Sequence, residues 1–233
     1  MDDLSGRRIA SIGGTGQVGE GIVRQLLAAG ATVVVPGYST EELDLLAGRL
    51  GEQPRLRLVE GGAVSDAEWS ALAARLEADG PLDGVVLSIG RWWSGARMVE
   101  MPPDEWDRVM AAGLDVHARV ARAFIPRLAS RAGAAYVVIS GSGAEEPAAG
   151  SAVANVAGAA ELMLARVLAV EHADDAVRVH ALVIDTPVLT RDRPTGPPDW
   201  VKADDVGAAV VRLVGAGTEP VYHLRPGANL VAG

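Results

Sequence analysis

The chain has 233 residues, 49% hydrophobic and only 4% aromatic, enough apolar mass for the core of one domain spanning residues 1–233. Acidic residues outnumber basic ones 30 to 21, and the net charge of −9 repels nucleic-acid backbones and anionic headgroups, which sets nucleic acid and membrane aside as partners. There is no cysteine, hence no disulfide and no thiolate chemistry; with a polar start and no uninterrupted apolar run of about 18 residues, a cytoplasmic protein is expected.

In chain order, short β-branched runs predict strands at 9–12, 32–35, 56–59, 84–87, 136–139, 177–184 and 221–224. Between them, helical periodicity appears in the stripe Val18, Ile22, Leu26 and in segments 43–50, 69–76, 106–128 and 153–170. This alternation predicts an α/β fold, a Rossmann-like doubly wound sheet of seven parallel strands in three αβα layers. Residues 185–200, rich in Pro, Thr, Arg and Asp, follow the sixth strand and are expected to cover the crevice at the strands' carboxyl ends.

The first strand runs into Gly13, Gly14, Thr15, Gly16, Gln17, Val18 and Gly19, and then a helix. Residues without a Cβ let backbone N–H groups approach a pyrophosphate, and the helix that follows points its positive end at that charge. After the second strand the chain reads Val35, Pro36, Gly37, Tyr38, Ser39, Thr40. With no acid there to meet ribose hydroxyls, and Tyr38 available to stack on adenine, NADP(H) is expected over NAD(H). Weakened or lost cofactor binding is the alternative.

These features resemble the short-chain dehydrogenase/reductase family along essentially the whole chain. The resemblance is carried by the glycine spacing 13, 16, 19, by Leu82, Asp83, Gly84, Val85, Val86 in the fourth strand, by Trp106, by Leu168, Ala169, Val170, Glu171, and by Val177, Arg178, Val179, His180. It implies hydride transfer assisted by an Asn-Ser-Tyr-Lys tetrad. Counted at the family's spacing, the asparagine falls on Gly113, the serine on Gly141 between Ser140 and Ser142, the tyrosine on Ala154 and the lysine on Gly158. An atypical member is therefore expected, with Ser140 and Ser142 as the catalytic candidates left. The resemblance also assigns Gly90 and Thr190 to the cofactor.

Arg91, Trp92 and Trp93 follow the fourth strand, where an apolar wall and a cation would hold a small substrate, and Asp185 is a candidate acid–base group beside them. The four histidines lack ligand spacing, so no metal site is expected; His117, one helical turn beyond Gly113, reads first as a packing residue, with a place facing the pocket or a subunit interface as the alternatives. Alanine-rich fourth and fifth helices imply a homodimer or homotetramer, by resemblance to the family. Three functions stand open: a non-standard NAD(P)-dependent oxidoreductase acting on a carbonyl or alcohol, a dinucleotide-binding regulatory or scaffold protein, and a non-redox dehydratase, cyclase or isomerase.

Overall fold

Stretches dense in Val, Ile and Ala become strands buried on both faces, since helices cover a parallel sheet from either side. In the computed structural model, residues 2–90 and 93–226 are described. The sheet strands are β1 (Arg8–Ile12), β2 (Thr32–Gly37), β3 (Leu56–Glu60), β4 (Gly84–Leu87), β5 (Ala135–Gly141), β6 (Arg178–Ile184) and β9 (Val221–Leu224). Two short strands, β7 (Val188–Leu189) and β8 (Val201–Lys202), form a separate parallel pair.

The sheet order is β3-β2-β1-β4-β5-β6-β9 and every pairing is parallel. The direction in which successive strands are added reverses between β1 and β4, and the crevice opens beyond the carboxyl ends of these two strands. The predicted seven-stranded Rossmann-like sheet is thus the observed one.

The helices are α1 (Gln17–Ala28), α2 (Thr40–Leu50), α3 (Asp66–Leu76), α4 (Pro103–Met110), α5 (Val116–Leu128), α6 (Ala152–Glu171) and α7 (Ala203–Gly215). Local chemistry sets their starts. Ser39 accepts from the Glu42 N–H, Ser65 and Glu68 close a reciprocal capping box, and Pro103 opens α4. On one sheet face, Ile9, Val33, Val35 and Val86 pack with α1 and α7; on the other, Ala10, Val34, Val85 and Tyr136 pack with α3, α5 and α6.

Two features depart from the sequence expectations. The helix predicted over 106–128 is broken by a π turn, Ala111–Asp115, an inserted residue of the kind that often marks functional sites. Helix α7 was not foreseen. Helix α6 is long and apolar enough to cross a membrane by length and composition alone, and Glu161 and Arg166 interrupt its apolar run, in keeping with the expectation. Its buried residues Val153, Ala157, Leu162 and Ala165 face the fold, while Val156, Met163, Val167 and Val170 form an exposed apolar stripe.

Candidate functional site

Two adjoining hollows lie beyond the strand ends, sharing Ile89, Gly90 and Ile139 in their walls. The first is built by the glycine turn. Gly13 has φ +83° and a Cβ there would collide with the Ser88 carbonyl oxygen of β4's exit, so it is needed for the turn itself. Gly16, Gln17, Val18 and Gly19 line the hollow together with Ser88, Thr190 and Arg193. Helix α1 starts at Gly16 without a side-chain cap, and the N–H groups of Gln17, Val18 and Gly19 find no acceptor among the described residues. Three free donors at the positive end of a helix fit a pyrophosphate.

The segment after β6 folds onto this turn. The Thr190 hydroxyl donates to the Gln17 side-chain oxygen, the Gln17 amide donates to Asp192 at 2.7 Å, and Arg191 pairs with Glu20 at 2.8 Å. The segment expected to cover the crevice is thereby tied to the glycine loop.

At the β2 end, the absence of an acid is a feature of sequence order alone. Glu42, in the first turn of α2, reaches back to accept from the Tyr38 N–H at 3.0 Å and from the Thr15 hydroxyl. Its carboxylate bridges the glycine loop to the end of β2, and Glu60 at the end of β3 accepts from the Thr40 hydroxyl. The β2 end is therefore not free of carboxylates, although none stands directly after the strand. Tyr38 is 72% exposed and its ring rests on Gly62.

The second hollow, of about 350 Å³, lies between β5, the π turn and α6. Strand alternation puts Ser140 on the face that also carries Tyr136 and Val138, so it lines this cavity, whereas Ser142 starts a 3-10 turn and is not in the described lining. Gly113, Gly141, Ala154 and Gly158, far apart in sequence, all line it. The lining holds neither tyrosine nor lysine. Tyr136, the buried tyrosine of β5, lies deeper in the core on the same sheet face with its phenol pushed up by burial, and Lys202, the chain's only lysine, precedes α7.

What fills the space beside Gly113 is Glu161 of α6. A Cβ on Gly113 would sit 2.7 Å from Glu161 Oε1. The carboxyl is 9% exposed, makes no hydrogen bond to a described residue, and burial pushes it up to about 7. His117 of α5 stands 3.8 Å away, buried, with Nε2 3.0 Å from the Ile89 carbonyl oxygen and Nδ1 without a partner. Burial lowers its affinity for a proton, so it is neutral, and the bond to Ile89 puts the hydrogen on Nε2. Glu161 was missing from the sequence candidates, and His117, read as packing, turns out to stand against it. Arg108 of α4 completes the cavity wall, paired with Glu105 at 3.2 Å.

The remaining sequence candidates are placed elsewhere or not described. Trp93 does not line the cavity: it is buried against Val109 and Val153, with its indole donating to Glu105 at 2.9 Å. Asp185 is held by His223 at 3.0 Å and Arg225 at 2.8 Å; partial burial raises its proton affinity, but those two hydrogen bonds prevail and keep it ionised, an anchor for the β6 and β9 ends. Arg91 and Trp92 lie outside the described residues.

Known proteins resemble the chain as follows. A family model described as enoyl-(acyl carrier protein) reductase matches residues 15–215. Galactitol 2-dehydrogenase (L-tagatose-forming) of Cereibacter sphaeroides is 31% identical over 216 residues, 88% of this chain and 82% of its own. Nodulation protein G of a Rhizobium strain is 33% identical over 124 residues, 52% of this chain, so the match spans about half (49%) of that relative's length. Among solved structures, an NADPH-bound short chain oxidoreductase of Pseudomonas aeruginosa PAO1 with an atypical catalytic center superposes with a TM-score of 0.87 over all of both chains (100% each) at 23% identity, a likeness of fold.

Proposed function

The chain belongs to the short-chain dehydrogenase/reductase family, and from that premise we propose that it is a nicotinamide-dinucleotide-dependent oxidoreductase acting on a small carbonyl or alcohol through a non-standard site. The observation that carries this reading is the uncapped start of α1, with free N–H groups of Gln17, Val18 and Gly19 in a hollow that opens directly into the cavity of β5 and α6. Gly16, Gln17, Thr190 and Arg193 would hold the pyrophosphate half, and Gly90 and Ile139 would flank the passage to the cavity. When bound, the dinucleotide supplies or accepts the hydride. The protein's part is to hold the substrate against it, to exclude water and to exchange a proton with the substrate oxygen.

Glu42 and Glu60 at the β2 and β3 ends oppose the added charge of a 2′-phosphate, which favours NAD(H) over NADP(H). The family tetrad is absent on this reading, since Gly113, Gly141, Ala154 and Gly158 carry none of its functional groups; Ser140 alone remains of the serine pair. The same four residues favour a second reading, a dinucleotide-binding regulator without turnover. The exposed stripe of α6, Val156, Met163, Val167 and Val170, supports a homodimer built on that helix.

Calorimetric titration with NADH and NADPH tests the function. Micromolar, 1:1 binding that Gly16→Val abolishes is expected, because a side chain there would stand between the helix donors and the phosphates. Failure of both nucleotides to bind would refute the reading.

A further inference from the structure

Resting on the dinucleotide-dependent reading, we propose that Glu161 is the proton-exchanging catalytic residue of the cavity, taking the place of a phenol. The geometry comes first. Glu161 is the one carboxyl in the described cavity lining, its side chain is nearly buried yet opens on the cavity, and no described residue hydrogen-bonds it. A buried carboxyl without donors is costly to ionise, and proteins tolerate such a group mainly where its proton is used. The absence of a side chain at Gly113 is what leaves room for it.

The groups facing Glu161 are few. From α5 comes His117, neutral and with its Nε2 hydrogen directed to Ile89; from α4 comes Arg108, whose guanidinium is engaged by Glu105; from β5 comes the uncharged Ser140. Asp115 at the end of the π turn is exposed, and Glu145 of the turn after β5 pairs with Arg166 at 3.1 Å. No described cation therefore bonds the carboxyl directly, and burial holds its proton on until about neutral pH.

The step balances with the reduced dinucleotide as electron donor. A hydride, one hydrogen nucleus carrying two electrons, reaches the substrate carbon, the carbonyl π pair moves onto oxygen, the Glu161 O–H bond breaks, and its proton completes the alcohol. The carboxylate left behind regains a proton from water at the cavity mouth. In the oxidation direction, the carboxylate removes the alcohol proton.

Two measurements test this without depending on the substrate's identity. Protein labelled with ¹³C-carboxyl glutamate is titrated, Glu161→Gln serving to assign the resonance. The Glu161 carboxyl is expected to titrate near pH 7, far above the exposed glutamates, and titration in the ordinary range would overturn the proposal. Calorimetry of NAD⁺ binding at pH 7 in two buffers of different ionisation enthalpy then counts protons. Wild type is expected to release on the order of half a proton as the cationic ring arrives, and Glu161→Gln none, with its NAD⁺ affinity lowered by about fivefold or more because the carboxylate's attraction is lost. Equal release by both proteins would refute the role. Gly113→Ala, which presses on Oε1 without touching the glycine loop, offers a second handle and should shift the same titration. Nucleotide binding with an unshifted Glu161 overturns this inference alone, whereas no nucleotide binding overturns the dinucleotide reading beneath it. On any carbonyl that is turned over, Glu161→Gln should lower the reduction rate by about 10²- to 10⁴-fold and abolish its decline above pH 7.

Discussion

The glycine-loop hollow and the α6 cavity share a wall, yet they are organised in opposite ways. Around the loop, side chains are tied down: Thr15 to Glu42, Gln17 to Thr190 and Asp192, Arg191 to Glu20, leaving backbone donors and the Arg193 guanidinium free of hydrogen bonds to described residues. Around the cavity, small residues at 113, 141, 154 and 158 leave space, and the one carboxyl that enters it has no hydrogen-bond partner among the described residues. One region is preorganised for a ligand that brings its own charge. The other holds a proton whose affinity is set by burial rather than by a neighbouring cation.

The largest effect should come from breaking the loop side. Gly13→Ala combines a positive φ with a collision against Ser88 and is expected to destabilise the fold by about 3 kcal/mol, read by urea unfolding. Gly16→Ala, whose Cβ would meet only the Gly13 oxygen at 3.2 Å, should cost much less stability while still weakening nucleotide binding. Equal destabilisation by both would blur the distinction between turn and ligand roles.

On the cavity side the expected change is of similar size but opposite sign. Glu161 holds its proton up to about pH 7 when folded, against an ordinary value of 4.5. Below pH 4.5 it is protonated folded or unfolded and costs nothing. As pH rises to 7, only the unfolded chain ionises, so folding loses stability, and the loss levels off above 7 at about 3 kcal/mol. Glu161→Gln should therefore leave melting unchanged near pH 4 and raise it markedly at pH 8. A variant no more stable than wild type at pH 8 would mean that the carboxyl is not desolvated.

Smaller effects sharpen the picture at its edges. Val167→Glu should dissociate a dimer built on α6, halving the mass seen by light scattering at micromolar concentration, with nucleotide affinity kept. A monomeric wild type would rule that assembly out. Glu42→Gln should shift the preference between NADH and NADPH towards the phosphorylated form by about 1 kcal/mol, roughly fivefold. An unchanged ratio would remove Glu42 from cofactor choice.

How much of this was legible beforehand follows the same division. The seven strands and the glycine turn announce themselves through local chemistry, β-branched runs and missing Cβ atoms, and the structure has them within two residues of the expected ends. Helix α7 was hidden because its Ala, Val and Gly residues give little contrast and it begins at Lys202 without a small polar cap, using Asp205 instead to accept the Lys202 N–H at 2.7 Å. The π turn displaces helical periodicity by a single residue, too little to read in one sequence. Glu42 escaped because it reaches the β2 end from the following helix. Glu161 escaped because a lone charge on a helix reads as a solvated one; the signal was its place between Ala160 and Leu162 on a helix otherwise short of acids, and only the approach of Gly113 turns that into a site.

The most direct test of the two-region account is a crystal structure of the complex with NADH. The account predicts the pyrophosphate on the N–H groups of Gln17, Val18 and Gly19, and the nicotinamide passing Gly90 to lie within contact distance of the Glu161 carboxyl. A dinucleotide bound at the glycine loop with its nicotinamide outside the α6 cavity, or no dinucleotide in either hollow, would contradict it.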